Sequence, residues 1–196
     1  MLKNIKYNSF LSAVLLCLLS ADAHNAQSAS SQSTVAILDF EGRGINSLEA
    51  ATLTDRFTSE VGKTGAVRLV DRTMVKEILI EQGFQQSGCT SDECAVEVGA
   101  MLGVQFMISG AIGKLGDTFT IDAKLVSVES GASVETRNVT YIGKVDGLVT
   151  EIELLAWDIM NIDPPDALKE KKRLGAQAFL EASAAQKTRM GSLMRS

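Results

Sequence analysis

The sequence predicts an α/β (α+β) sandwich: a mixed β-sheet with packed helices, in the order β-α-β-α-α-β-β-β-α, followed by a C-terminal helical tail. Three observations carry this expectation. Short runs of branched apolar residues alternate with helix-periodic segments over the first half. The period changes from helical to twofold over residues 105–142. Finally, 45% of the residues are apolar and only two are proline, Pro164 and Pro165, which is the composition of a folded body.

The elements follow in order. Residues 1–23 read as a secretory signal. Lys3 and Lys6 give a positive start, Phe10 to Leu19 an apolar run, and Ala21-Asp22-Ala23 a small-x-small cleavage pattern. Ala26 is the second choice of cleavage site. The run is too short for a membrane span, which needs about 20 apolar residues. Cys17 follows Leu16 inside it, so no lipid anchor is expected there. Residues 24–33, HNAQSASSQS, form a polar linker without periodicity.

The domain expected over 34–160 starts with TVAILDF, a buried strand ending at Asp39-Phe40, and a loop over Glu41 to Gly44. Asn46 and Glu49 have capping-box spacing, and Ala50, Leu53, Phe57 and Val61 repeat as a helix from Ser47 to Gly62, with Gly62 and Gly65 ending it. A strand over Ala66 to Val70 precedes a helix over Arg72 to Gln82, capped by Asp71, stopped by Gly83 and facing inward through Val75, Ile78 and Leu79. Thr90 and Glu93 again have capping-box spacing. They open a third helix, Glu93 to Leu102, expected to bury Ala95, Val98, Met101 and Leu102 before Gly103.

Three strands follow, Gln105 to Leu115, Thr118 to Val128 and Ala132 to Ile142, joined by tight turns at Gly116-Asp117 and Ser130-Gly131. Gly110 and Gly113 are read as marking a bend or bulge in the first of them. A fourth helix over Val145 to Met160 carries Leu148, Ile152, Leu155 and Ile159 at helical spacing, and Asp163-Pro164-Pro165 breaks it. The tail, 166–196, has helical composition to about Arg189 and only a weak apolar stripe.

Charge is unevenly spread. Residues 24–165 hold 10 basic and 20 acidic side chains, whereas 166–196 hold 7 basic and 3 acidic. The acidic body excludes a nucleic-acid partner, because a phosphate backbone would be repelled. Lys169, Lys171, Lys172 and Arg173 form one basic cluster, a candidate contact with envelope proteins, with a second copy or with anionic headgroups at a membrane periphery.

Catalysis is not expected. The one histidine, His24, lies in the linker, so the domain lacks the commonest general base and triad partner, and no metal or other cofactor is called for. No phosphate loop is present: neither Gly42-x-Gly44 nor Gly110-x-x-Gly113 leads into Gly-Lys-Ser/Thr. Asp39 and Asp71 at strand ends keep a carboxylate site open as an alternative to plain loop and cap roles. Cys89 and Cys94 are best read as a structural disulfide in an exported chain, with a redox-active or free pair as the other reading.

Three stretches carry a family resemblance: TVAILDFEGRG (34–44), VRLVDRTMVKEILIEQGF (67–84) and CTSDECAVEVGAMLGVQFMISGAIGKLGDTFTIDAKLVSVESG (89–131). They resemble the CsgG-type domain of the curli-secretion channel subunit. Penicillin-binding-protein activators and the N-terminal part of the Tol-system periplasmic component carry related domains. The resemblance implies a periplasmic, often outer-membrane-associated, non-enzymatic assembly module. The alternative it offers is a subunit of a curli-type outer-membrane channel. Tight turns at 115–118 and 128–132 leave no length for membrane-crossing hairpins, whose strands need about nine to eleven residues each.

Overall fold

The sheet is built around one long strand. In a computed structural model describing residues 32–83 and 91–193, β4 (Phe106–Leu115) has parallel neighbours on one side and an antiparallel one on the other. β1 (Thr34–Ile37) pairs with its first half, Val35 opposite Phe106 and Ile37 opposite Ile108. β2 (Glu41–Arg43) pairs with its second half, Glu41 opposite Ala111 and Arg43 opposite Gly113. β3 (Arg68–Leu69) lies outside β1, and β5 (Thr118–Ser127) and β6 (Ser133–Ile142) continue the sheet as a meander on the other side. The order is β3-β1-β4-β5-β6, with β2 in line with β1.

The helices form two unequal layers. α1 (Ser47–Lys63) and α4 (Val145–Ile159) cover one face, where Leu53, Phe57, Val61, Leu148, Ile152, Leu155 and Ile159 pack on Val35, Ile37, Ile108, Ile112, Phe119 and Ile121. Each such side chain contributes about 1.5–3 kcal/mol on leaving water. α2 (Arg72–Glu81) and α3 (Asp92–Leu102) cover part of the other face, over β1, the start of β4 and the end of β5, through Val75, Leu79, Ala95 and Val98 against Ala36, Leu38 and Met107. α5 (Asp166–Leu193) lies against α4 and buries almost nothing: among its described side chains only Leu168 is not exposed.

The mixed sheet with packed helices and a helical tail is therefore the fold the sequence predicts. Capping holds at two helices. Asn46 and Glu49 form a reciprocal capping box, and the Asp71 carboxylate accepts from the Thr73 N–H. Five expectations need correction. Glu41–Arg43 is a strand, because the exposed edge of β4 beyond Ile108 offers a ladder that three polar residues can join without apolar periodicity. The second strand shrinks to Arg68–Leu69, as only Thr34 and Val35 are available to pair with it. α1 runs through Gly62 to Lys63; Gly65, at φ +65, makes the left-handed turn after it. α3 begins one residue earlier than expected, with the Ser91 hydroxyl accepting from the Cys94 N–H as N-cap, and Met101 is exposed, on the helix side away from the sheet.

The fifth correction concerns Gly110 and Gly113, which mark neither a bend nor a bulge. β4 stays regular there, and the register irregularity lies at Leu125/Val126 instead. Both glycines make room. A Cβ at Gly110 would stand 3.1 Å from the Phe40 ring and 2.4 Å from the Asp122 carbonyl oxygen. One at Gly113 would stand 2.6 Å from Thr120 Oγ1.

Candidate interaction surface

The residues singled out for chemistry fall into structural roles. Asp39 faces Arg72 as an ion pair, and Arg72 also reaches Asp55. Burial of Arg72 lowers its guanidinium pKa. Asp71 caps α2, and the Thr73 N–H holds its carboxyl below the usual carboxylate range. Asp39 is thus taken up by Arg72 and Asp71 by its cap, and the Asp71 carboxyl is held low where proton transfer by a carboxylate at neutral pH demands the opposite. Among the described residues no group of three or more His, Cys, Asp or Glu could hold a metal ion. No described helix is long and apolar enough to cross a membrane. Cys94, in the first turn of α3, is disulfide-bonded. Cys89, its expected partner, lies outside the described residues, as do Thr90, His24 and the signal segment.

What the fold does expose is one bare half of a sheet. Because α2 and α3 stop over Met107 and the end of β5, no described helix covers the second face of β2, of the second half of β4, or of most of β5 and β6. The strand alternation places Ser109, Thr120, Asp122, Lys124, Thr136 and Asn138 there. These side chains bond one another across the strands. Asn138 donates to Asp122, Lys124 reaches Asp92 at the start of α3 at 3.2 Å, and Arg43 pairs with Glu41 at 2.7 Å. The face is polar and carries charges of both signs around a hollow of about 290 Å³, the polar kind of surface that non-obligate protein partners cover.

Three of the four basic residues of the tail are placed by the acidic body of their own chain, and the fourth pairs within the tail. Lys171 donates to Glu153 at 2.7 Å and Lys172 to Glu151 at 3.0 Å. Lys169 lies 3.3 Å from Asp163, and Arg173 pairs with Glu170 at 2.6 Å. Glu153 is buried, 1% exposed, and also accepts from Arg56 Nε at 2.7 Å. Arg56 bridges at 3.0 Å to Glu60, itself 5% exposed, which takes Lys63 at 2.6 Å and Trp157 Nε1 at 3.3 Å. Burial works to raise the Glu153 carboxyl, but hydrogen bonds from Lys171 and Arg56 outweigh it and hold the group low. This network across α1, α4 and α5 was not found in the sequence. Its local signals are the i,i+4 spacing of Arg56 and Glu60 and the i,i+3 spacing of Glu60 and Lys63.

Comparison with known proteins adds the family. A family model described as peptidoglycan-synthase activator LpoB matches residues 18–135. No curated protein matches the chain. Among solved structures, lipoprotein GNA1162 from Neisseria meningitidis is 11% identical, over 66% of this chain and 99% of that one, with a TM-score of 0.50. The LpoB C-terminal domain from Salmonella enterica is 13% identical, over 66% of this chain and 93% of that one, with a TM-score of 0.48. The PelC dodecamer from Paraburkholderia phytofirmans is 13% identical, over 68% and 91%, with a TM-score of 0.46. At such identities the Neisseria likeness concerns the fold alone. The matching family is one that the sequence resemblance placed beside the CsgG type; the CsgG label itself, and the curli channel with it, is not supported by these matches.

Proposed function

The chain belongs to the peptidoglycan-synthase activator LpoB family, and from that premise we propose that it is a periplasmic, non-enzymatic protein that binds a peptidoglycan synthase and raises its activity. The observation that carries this reading is the match over residues 18–135, which takes in β1 to β5 and the start of β6, most of the framework of the bare sheet face. A polar surface with charges of both signs suits association with a folded partner that must also exist alone in water. The exported character of residues 1–23 supports a place in the periplasm, with attachment to the outer membrane as a further element of the proposal. The Cys89–Cys94 bridge belongs to the same reading, as a clamp on the loop leading into α3.

The four basic residues take a modified role. Lys171 and Lys172 anchor α5 to α4, leaving Lys169 and Arg173, paired with exposed carboxylates, as the more available contacts. The test is glycan-chain synthesis by a purified bifunctional peptidoglycan synthase on its lipid-linked disaccharide substrate, with and without the mature protein. A several-fold faster rate at saturating protein, with a measurable Kd, is expected. An unchanged rate with no binding to any synthase of the source bacterium rejects the proposal.

A further inference from the structure

β6 ends the sheet, and its outer edge runs for ten residues without a described strand beside it. The direction of its backbone groups follows from the ladder. The Gly143 N–H donates back to the Asp117 carbonyl at 2.9 Å, so odd-numbered residues of β6 turn their N–H and C=O toward β5. The groups of Thr136, Asn138, Thr140 and Ile142 therefore point outward, and their side chains are exposed. Only the Thr136 carbonyl has a described partner, Arg137 Nη1 at 3.1 Å.

A shelf lies beside this edge. α5 is tied to α4 and not to the sheet, so the helical layer extends one helix past the last strand. Between β6 and α5 runs a groove of about 920 Å³ lined by Asn138, Thr140, Asp158, Pro164, Lys169 and Lys172. A second hollow of about 340 Å³ continues it, lined by Tyr141, Ile142, Gly175, Ala176, Phe179 and Leu180. The floor carries both signs of charge at one end, Glu151, Asp158 and Asp163 beside Lys169 and Lys172, and is apolar at the other.

We propose that an extended segment of the partner synthase adds to β6 as a seventh strand lying over α5. The backbone of that segment would meet the outward N–H and C=O groups of Asn138 and Thr140. Its apolar side chains would lie over Gly175 to Leu180, and a carboxylate would lie over Lys169. Asp163, which now pairs with Lys169, has a side chain 93% exposed, so an incoming carboxylate displaces it at little cost. A second copy of this chain fits worse. Edge-to-edge pairing of two β6 strands would bring two α5 helices together under the junction, each from a tail with 7 basic and 3 acidic residues. The edge beyond Glu135, and all of α5, lie outside the family match, so this docking mode deepens the proposed function and rests on it.

The experiment is hydrogen exchange of the full mature chain, alone and with the purified synthase, together with Kd values for Thr140→Pro and Leu180→Glu. Proline at 140 removes an outward N–H and leaves the β5 ladder intact, as edge strands tolerate. New protection at Asn138, Thr140 and Ile142 is expected. Thr140→Pro should bind about tenfold more weakly at an unchanged melting temperature, the worth of one lost interfacial hydrogen bond. Leu180→Glu, at an exposed position, should also weaken binding and guards against a fold defect in the proline variant. Wild-type binding with full affinity in both variants, or protection confined to other strands, overturns the docking alone. Absence of wild-type binding overturns the proposed function, and this docking with it.

Discussion

At the scale of single residues, the positions that matter most are those where the backbone leaves regular structure inside the core. After Ile37 the chain steps from β1 to β2, and the Phe40 N–H would be left unpaired in a buried place. Thr54 accepts it at 3.0 Å and donates its own hydroxyl to the Ala50 carbonyl at 2.8 Å. The side chain is fully buried, so no water can substitute. Thr54→Val keeps the shape and strands that N–H, with an expected loss of about 1–3 kcal/mol in urea-induced unfolding. Gly110 belongs to the same construction: the absent side chain lets the Phe40 ring settle on β4, where it meets Phe57 at 5.0 Å between centroids. The composition of TVAILDFEGRG shows an apolar strand and a loop. It does not show that a threonine fourteen residues later completes the hydrogen bonding between them.

At the scale of elements, α5 is the informative case. A lone 28-residue helix with a weak apolar stripe gains little from packing, so charge has to hold it. Lys171 and Lys172 reach carboxylates on α4, and the stronger anchor is the buried Glu153. The Glu153 pKa is lowered in the folded protein below its ordinary value of 4.5. A group depressed in this way stabilises the fold fully above that ordinary value and loses its contribution as pH falls through the lower, folded value. The melting temperature should therefore fall on acidification below about pH 4.5 by more in the wild type than in Glu153→Gln, which has no carboxylate to protonate. Equal pH profiles for the two proteins would remove Glu153 as the anchor. The sequence shows the basic cluster plainly, yet where it docks depends on Glu151 and Glu153, two carboxylates buried on α4 beside its apolar face, and only the packed helices show them to be buried.

At the scale of the whole molecule, stability is concentrated around β4 and β5 and fades toward α5. β4 and β5 are paired along all ten residues and sandwiched by α1 and α4 on one side, while α5 contacts α4 near its start and exposes the rest. Local opening should follow the same gradient. In hydrogen exchange of the free protein, amides of Ile108, Ile112, Ile121 and Ala123 should be the slowest, at the rate set by global unfolding. Those from Gly175 onward in α5 should exchange orders of magnitude faster. Slow exchange along all of α5 would show that the tail is packed more firmly than its few contacts allow, and would close the shelf beside β6 to an incoming strand.

What the sequence determined by itself is the set of elements and their inward faces. The helical repeat of Ala50, Leu53, Phe57 and Val61, and that of Leu148, Ile152, Leu155 and Ile159, are local statements about which side chains must leave water, and all eight are buried. Capping at Asn46 and Asp71 was legible for the same reason, since a cap is settled within a few residues. The tertiary structure alone decided what depends on partners distant along the chain. It made a strand of Glu41–Arg43, seated Phe40 on Gly110, left much of the second face of β4 to β6 without a described helix and tied the tail to Glu153. The candidate surface falls in this second group: a bare sheet face and an unpaired edge are defined by elements that fail to cover them, and a linear pattern of residues records which faces are apolar but not which neighbours arrive.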